Sequence, residues 1–343
     1  MQEELSQIFE RSANEEFHNS SPLYEHLSLA IAKDPEILSL AADCRKGERA
    51  PNLFFAAVHL LLLKGTRHPL SLYYQGLSGS SLGTDDPYPT FRSFCLEYDE
   101  EIRSLISARM VQTNEVSRCA CLVPAFVLVS RGAKGRPLHL VEIGASAGLN
   151  LLWDRYAYDY GEMRRCGDMN SPVQIKCAVK GKVVPPLPET FPEISARVGI
   201  DVNPLDVSDR EYALWLRALV WPEHSERAEV LRQALQVARQ NQPTLIRGDG
   251  VESLPAIVEA VPKDSVLCIV RMFTPIAPIS RDRLSSLVAA YGAKRDVFMI
   301  SSRSHGRDES ELLFRSFVNG IKTEKCVAYF QNHGAWIEWL DAG

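Results

Sequence analysis

The sequence lacks the features that mark membrane, secreted and metal-cluster proteins. Its most apolar run, residues 53–63, contains His59 and is far shorter than the roughly 20 residues of a membrane helix. The acidic first residues have no basic segment followed by an apolar core, so we expect no signal peptide. The eight cysteines form no C-x-x-C pair and have no histidines at zinc spacing. We expect reduced thiols, no metal site and a cytoplasmic location.

An excess of positive charge is also missing. Lysines and arginines number 38 against 43 aspartates and glutamates, which gives a net charge of −5. This balance indicates no general affinity for nucleic acid or for an anionic membrane, so we expect neither as a partner. Hydrophobic residues make up 45% of the chain, which is typical of an ordinary globular protein.

Two regions of the chain differ in hydrophobic rhythm. Residues 1–132 show apolar side chains at spacings of three and four, which predicts an all-α domain, with a Gly- and Ser-rich loop at 76–90. Residues 133–343 alternate short β-branched runs with helical segments, which predicts an α/β domain with a mostly parallel sheet. An insertion at about 155–196 predicts a small β excursion followed by a Pro-rich loop.

The strands of this sheet are predicted from five short runs. A helix is expected near Ala147, and the segments "CVAYFQ" and "AWIEWL" around "NHG" predict a terminal hairpin that adds one antiparallel strand. The predicted parallel strands are residues 138–144, 197–203, 244–249, 265–273 and 296–302.

The first strand leads into "VEIGASAGLN", residues 141–150, which fits more than one ligand motif. As G-x-S-x-G it would be a serine-hydrolase elbow, and Ser146, Asp249 and His305 follow the required chain order. Helices rather than strands precede it, however, and no oxyanion loop comes before it. A dinucleotide fingerprint would need glycines where Ser146 and Leu149 stand.

A third pattern, E/D-x-G-x-G-x-G, fits with one exchange of glycine for serine. It resembles the first motif of Rossmann-like S-adenosylmethionine (SAM)-dependent methyltransferases. The matching residues, with Asn150 from the same turn, are Glu142, Gly144, Ser146 and Gly148. The resemblance implies a methyltransferase-type sheet, which the terminal hairpin also fits, and SAM as cofactor.

The ends of the next two strands extend this resemblance. In the methyltransferase pattern an acidic residue after the second strand holds the ribose hydroxyls, which implies this role for Asp201, with Asn203 beside it. Asp159 is a second candidate at closer spacing. After the third strand the pattern implies adenine contacts from Asp249, Gly250 and Val251. The simpler alternative is that Asp201 and Asp249 cap helices.

A narrower resemblance spans most of the chain. "LHLVEIGASAGLNLLWDRYAYDYG", "GIDVNPLDV" and "RGDGVESLP" resemble a bacterial family catalogued as a domain of unknown function. This resemblance implies a helical N-terminal part joined to a methyltransferase-like domain, without assigning a reaction.

Candidate substrate residues lie on three segments. Gln112 and Asn114 belong to a polar stretch amid apolar helix, which otherwise indicates a solvated face or a helix start. Tyr158 belongs to an aromatic stretch that lines a pocket or packs internally. Arg271 ends a buried strand and needs a partner, either an acidic substrate or Asp249.

The predicted function is SAM-dependent methyl transfer to a small molecule. Glu115, Asp154 and Asp159 are the candidate general bases. The absence of an N-P-P-Y-like segment after the fourth strand argues against a DNA substrate. The alternatives are a non-catalytic SAM- or nucleotide-binding protein and a serine hydrolase that uses Ser146.

Overall fold

The computed structural model describes residues 2–77, 85–274 and 277–340, so the central part of the predicted loop at 76–90, residues 78–84, lies outside the described residues. The chain forms two compact units. The first comprises Met1–Thr113 and Ser208–Glu229, and the second comprises Asn114–Val207 and Val230–Gly343. The sequence predicts a single boundary between residues 132 and 133. The division differs because residues 114–132 belong to the unit with the sheet and residues 208–229 belong to the helical unit.

The helices follow the apolar spacing of the sequence. Short 3-10 segments cover Pro69–Tyr73, Val116–Arg118 and Leu149–Arg155, and Ala13–Phe17 is a π-helical turn. The α-helices are α1 Gln2–Ser12, α2 Pro22–Ile31, α3 Pro35–Ala41, α4 Ala50–Leu63, α5 Tyr88–Glu97, α6 Asp99–Ala108, α7 Cys119–Ala133, α8 Arg210–Ala218, α9 Ser225–Gln240, α10 Gly250–Glu259 and α11 Pro278–Gly292.

The first unit is all-α and is organised around α4. Nearly every side chain of α4 is buried, which agrees with its continuous apolar run. Phe54 and Phe55 of α4 contact Phe9, and Phe55 stacks on Tyr24. The buried Trp215 of α8 belongs to the same core, which explains why residues 208–229 join this unit.

The second unit contains a nine-stranded sheet in the order β5-β12-β11-β10-β9-β8-β1-β6-β7. The strands from β9 to β7 in that order are parallel, so the predicted mixed α/β fold with a mostly parallel sheet is confirmed. The strands are β1 Leu138–Ile143, β2 Ala157–Asp159, β3 Arg165–Gly167, β4 Gln174–Lys176, β5 Ala178–Lys180, β6 Ile194–Asp201, β7 Thr244–Arg247, β8 Val266–Arg271, β9 Val297–Ser304, β10 Glu309–Val318, β11 Ile321–Gln331 and β12 Trp336–Trp339.

The antiparallel part of the sheet is larger than predicted. β11 and β12 form the expected hairpin, but β10 also pairs antiparallel with both β9 and β11. The prediction of one antiparallel strand was wrong because β9 turns directly into β10 without an intervening helix. β5, from the insertion, pairs parallel to β12 and extends the sheet further.

Helices cover both faces of this sheet. On one face α10 and α11 pack through Leu254 and Val288 against strand residues such as Val141 and Met299. On the other face lies α7, where a Cβ on Gly132 would come 2.5 Å from the Phe298 ring. The stretch Val116–Ala133 is long and apolar enough to cross a membrane, but 61% of it is buried within the protein, as in a core helix.

The insertion is the predicted β excursion with a Pro-rich loop. β2, β3 and β4 form a separate three-stranded sheet in the order β3-β2-β4. The helix predicted near Ala147 is instead the 3-10 segment Leu149–Arg155, which is kinked where Leu152 leaves helical geometry. Two short hydrogen bonds of 2.7 Å join Asp154 to Arg197 and fasten the start of the insertion to β6.

Candidate functional site

The turn after β1 has an alternating left-handed backbone. Gly144, Ser146 and Gly148 have φ values of 78°, 53° and 71°. For a residue with a Cβ this conformation costs about 1 kcal/mol or more, so Ser146 occupies a position whose backbone suits glycine. The G-x-S-x-G spacing of the sequence therefore follows from the shape of this turn.

A second turn packs against the first. Thr274 follows β8, and its Oγ1 donates a 3.0 Å hydrogen bond to the carbonyl of Ile143. A Cβ on Gly144 would lie 2.0 Å from that Oγ1, so only glycine fits at position 144. The turns after β1 and β8 are thus held together at the carboxyl edge of the sheet.

The backbone N–H groups of the first turn are largely used within the protein. Those of Gly144 and Ala145 donate to Ile200 O, at 2.8 and 3.2 Å, and that of Gly148 donates to Ala145 O. The side chains of Asp201 and Asn114 accept from the N–H groups of Ser146 and Leu149. Phosphate-binding turns keep such N–H groups for the ligand, so this turn is not built as a phosphate cradle.

Glu142 is a carboxyl group buried below the turn. It is 2% exposed, and its Oε1 accepts a 3.1 Å hydrogen bond from Asn150 Nδ2. Its Oε2 is buried and has no hydrogen-bond partner among the described residues. Burial raises the pKa of Glu142 to about 8. The hydrogen bond from Asn150 and the charge of Arg118 lower this pKa, whereas the charge of Asp201 raises it. The carboxyl is therefore mostly protonated at neutral pH.

Asp201 ends β6 and connects two turns. Its Oδ2 accepts from Ser146 N at 2.8 Å, and its Oδ1 accepts from Asn203 N at the same distance. The carboxylate does not cap a helix; it fixes the turn around Ser146.

Asp249 caps a helix, as the simpler alternative predicted. Its Oδ1 accepts from Val251 N at 2.8 Å and from Glu252 N at 3.0 Å, at the start of α10. Gly250 lies over β1, where an added Cβ would come 2.3 Å from Ile143 Cγ2. These contacts place the start of α10 beside the end of β1.

The segment before α7 belongs to the same edge of the second unit. Asn114 Oδ1 accepts from Leu149 N at 3.1 Å. Glu115 accepts from Ser117 N as the cap of the 3-10 turn Val116–Arg118, and its Oε2 lies 3.5 Å from His333 Nδ1. The segment is thus a helix start that also contacts the turn after β1. Gln112 lies in the first unit.

Sequence reasoning missed three residues beside this segment, namely Arg118, Phe273 and His333. The Arg118 guanidinium lies 4.0 Å from the centre of the Phe273 ring and donates to Asn332 O at 2.8 Å. Phe273 has a left-handed φ of 55°, and its N–H donates to Ser302 Oγ. Only this strained backbone sets Phe273 apart, and no local sequence pattern signals it.

Three other predicted residues have partners of their own in or near the insertion. Asp154 forms its bidentate pair with Arg197, and Asp159 accepts from Gly161 N and Arg165. The bond from Gly161 is the main cause that lowers the pKa of Asp159. Tyr158 is buried, and its hydroxyl donates to Trp153 O. We therefore place none of the three in the cluster around Glu142.

The predicted hydrolase triad is not connected by any hydrogen bond in the described parts of the chain. Ser146 is 3% exposed, and its Oγ has no partner there. His305 packs on Tyr329 and lies 3.5 Å from Glu311, while Asp249 caps α10. Within the described ranges no group of three histidine, cysteine or acidic side chains stands ready to hold a metal ion.

Comparison with known proteins identifies the family. The model of a family described as "Uncharacterized protein conserved in bacteria (DUF2332)" matches residues 6–339. No curated protein and no solved structure matches the chain. The family match includes both units, and it confirms the resemblance to a bacterial family of unknown function. The chain therefore belongs to the DUF2332 family of proteins conserved in bacteria.

Proposed function

We propose that this protein binds SAM at the turn after β1 and transfers its methyl group to a small-molecule acceptor. The observation that carries the proposal is the turn itself. It combines glycine-like backbone at positions 144, 146 and 148 with a buried carboxyl at Glu142 whose Oε2 lacks a partner among the described residues.

The position of the turn supports a ligand site. Numbered along the chain, the five parallel strands β1, β6, β7, β8 and β9 lie in the order 3-2-1-4-5. This matches the first five strands of a Rossmann sheet, in which ligands bind at the carboxyl ends beside the point where the strand order reverses. That point lies between β1 and β8, where Gly144 meets Thr274.

The chemistry of the turn favours SAM over a dinucleotide. A pyrophosphate needs free N–H donors, and most of those on this turn are already bonded. Glu142 Oε2 is the carboxyl oxygen of this turn that remains without a partner among the described residues. A carboxyl oxygen can accept from the amino group or a hydroxyl of SAM, and a cationic ligand beside Glu142 would favour its ionised form. By the same resemblance Asp249, Gly250 and Val251 would flank the adenine.

SAM, when bound, supplies an electrophilic methyl group on a sulfonium centre. The protein then has to hold the acceptor in line and receive a proton where the acceptor carries one. Glu115 is the carboxylate we assign to that proton, because it lies at the same edge of the unit and has His333 at 3.5 Å. A Glu115→Gln variant should retain SAM binding and lose methyl transfer.

Calorimetric titration with SAM, S-adenosylhomocysteine and NAD tests the binding step. We expect micromolar binding of the first two and none of NAD. Asp201→Ala should abolish binding, because it removes the acceptor that fixes Ser146 N. Asp264→Asn is the matched control, since this exposed residue precedes β8 at the opposite edge of the sheet.

Failure of both SAM and its product analogue to bind would overturn the proposal. Labelling of Ser146 by a fluorophosphonate probe would instead support the hydrolase alternative. Binding without methyl incorporation into any acceptor from a metabolite extract would support the non-catalytic alternative.

A further inference from the structure

Arg271 is a half-buried cation without an acidic partner. It is the last residue of β8, and its Nη1 donates to Thr274 O at 3.1 Å. In the described ranges no carboxylate lies within ion-pair distance of it, and Asp249 is engaged at the start of α10. A buried charge needs compensation, so this position points to a missing anion.

Two further arginines face the same region. In the sheet Arg271 lies opposite Ser301 of β9, and Ser301 lies opposite Leu313 of β10. Arg315 is two residues further along β10, so its side chain is on the same face of the sheet as Arg271. α11 packs on this face and carries Arg281 in its first turns. Burial is the main cause that lowers the pKa of Arg271, and the charges of Arg281 and Arg315 lower it further.

The arginine cluster, defined as Arg271, Arg281 and Arg315, is only partly neutralised. Arg315 Nη2 bonds to Glu324 Oε1 at 2.7 Å, but its Nε is buried without a hydrogen-bond partner among the described residues. Arg281 is exposed on α11 and forms no ion pair in the described parts of the chain. Three guanidinium groups with one carboxylate leave a local excess of positive charge in a protein whose net charge is −5.

Thr274 connects this cluster to the turn after β1. Its carbonyl accepts from Arg271, and its hydroxyl donates to Ile143 O directly above Gly144. Thr274 therefore contacts both Arg271 and the turn proposed for SAM. The arginine cluster lies on the α11 side of the sheet. An acceptor lying between the two would meet guanidinium groups at one end.

We propose that the arginine cluster binds an oxyanion group of the methyl acceptor, so that the substrate is a small molecule bearing a carboxylate or a phosphate. This inference rests on the proposed function. Guanidinium groups match both anions through paired N–H donors, and the shared feature is an oxyanion with at least two acceptor oxygens.

Calorimetric titration of the full chain with inorganic phosphate and with malonate, at constant ionic strength, tests this proposal. The titrations are made with and without saturating S-adenosylhomocysteine. Arg271→Gln and Arg281→Gln are compared with Lys294→Gln, which removes the same charge from an exposed site just beyond the other end of α11. Circular dichroism checks folding, and the exposed Arg281 provides a variant that does not disturb the interior.

We expect saturable binding of at least one anion. Each arginine variant should weaken it by about tenfold or more, while Lys294→Gln should change it by less than about twofold. Preference for phosphate or malonate then identifies the anionic group.

Absence of saturable binding, or equal binding by both arginine variants and wild type, would overturn the proposal. S-adenosylhomocysteine binding is read separately. If it persists while neither anion binds, the anion site fails and the proposed function stands. If it is absent while the anions bind through Arg271, the proposed function fails and the arginine cluster remains an anion site.

Discussion

Replacing Glu142 with glutamine removes its charge and keeps its shape. The side chain is 2% exposed and accepts a hydrogen bond from Asn150 Nδ2 through Oε1. A glutamine carbonyl can accept the same bond. Burial raises the pKa of Glu142 from 4.5 to about 8, so the wild-type carboxyl is as neutral as glutamine at pH 6.

The magnitude follows from the difference in pKa between the folded and unfolded chains. A pKa raised in the folded state gives stability that is fully present below about pH 4.5 and is lost as pH rises through about 8. The gap of about 3.5 units corresponds to about 5 kcal/mol in total at about 1.36 kcal/mol per unit. About 2 kcal/mol of this falls between pH 6 and pH 8. Wild type should lose that much relative to Glu142→Gln.

Unfolding in guanidinium chloride at pH 6, 7 and 8 measures the difference in unfolding free energy between wild type and Glu142→Gln. The contributions of the other titrating groups cancel because they are the same in both proteins. Glu324→Gln is the control. Hydrogen bonds from Arg315 and Lys322 lower the pKa of Glu324 to about 2, so its carboxylate stays ionised over this window and its difference from wild type should be constant. A constant difference for Glu142→Gln as well would refute a buried neutral carboxyl at this site.

Three other substitutions test the turn and its support. Gly144→Ala should destabilise by about 2–4 kcal/mol through its clash with Thr274. Gly135→Ala, with a similar positive φ and nothing within 4 Å, should cost about 1 kcal/mol; equal unfolding midpoints would contradict the contact argument. Ser146→Gly should change stability by no more than about 1 kcal/mol and preserve S-adenosylhomocysteine binding in calorimetry, since its Oγ has no described partner; loss of binding would assign the hydroxyl to the ligand. Asp154→Asn should lower stability by about 3 kcal/mol because it leaves Arg197 partly buried without its pair; thermal unfolding at the wild-type temperature would exclude that role.

The parallel strands were predictable from their β-branched residues, and β1, β6, β7 and β8 are each followed by a helical segment. β10 was not, although its Leu312 and Phe314 have the two-residue spacing of one face of a strand. It follows β9 after a short turn, and Glu311 and Arg315 give it a polar composition. Antiparallel pairing with β9 and β11 determines its structure, and such pairing depends on residues distant in sequence.

The same distinction applies to the candidate site. The position of Glu142 and Asp201 at one edge was predictable, because the carboxyl ends of parallel strands meet at one edge of the sheet. Arg118, Phe273 and His333 reach that edge from the start of α7, the turn after β8 and the turn between β11 and β12. Their contacts join segments far apart in the chain, and no spacing in the sequence predicts these contacts.

The discontinuous first unit also affects the order in which the protein can fold during synthesis. A nascent chain ending at Thr113 lacks Trp215, whose Nε1 donates to Met110 O, and Ala218, whose carbonyl bonds to His59. The helical core therefore stays incomplete until residue 229 has been translated, after the strands β1 and β6 have already appeared. Domains that are continuous in sequence usually fold one after the other from the N-terminus. In this chain the last segment of the first unit is instead translated only after the second unit has begun.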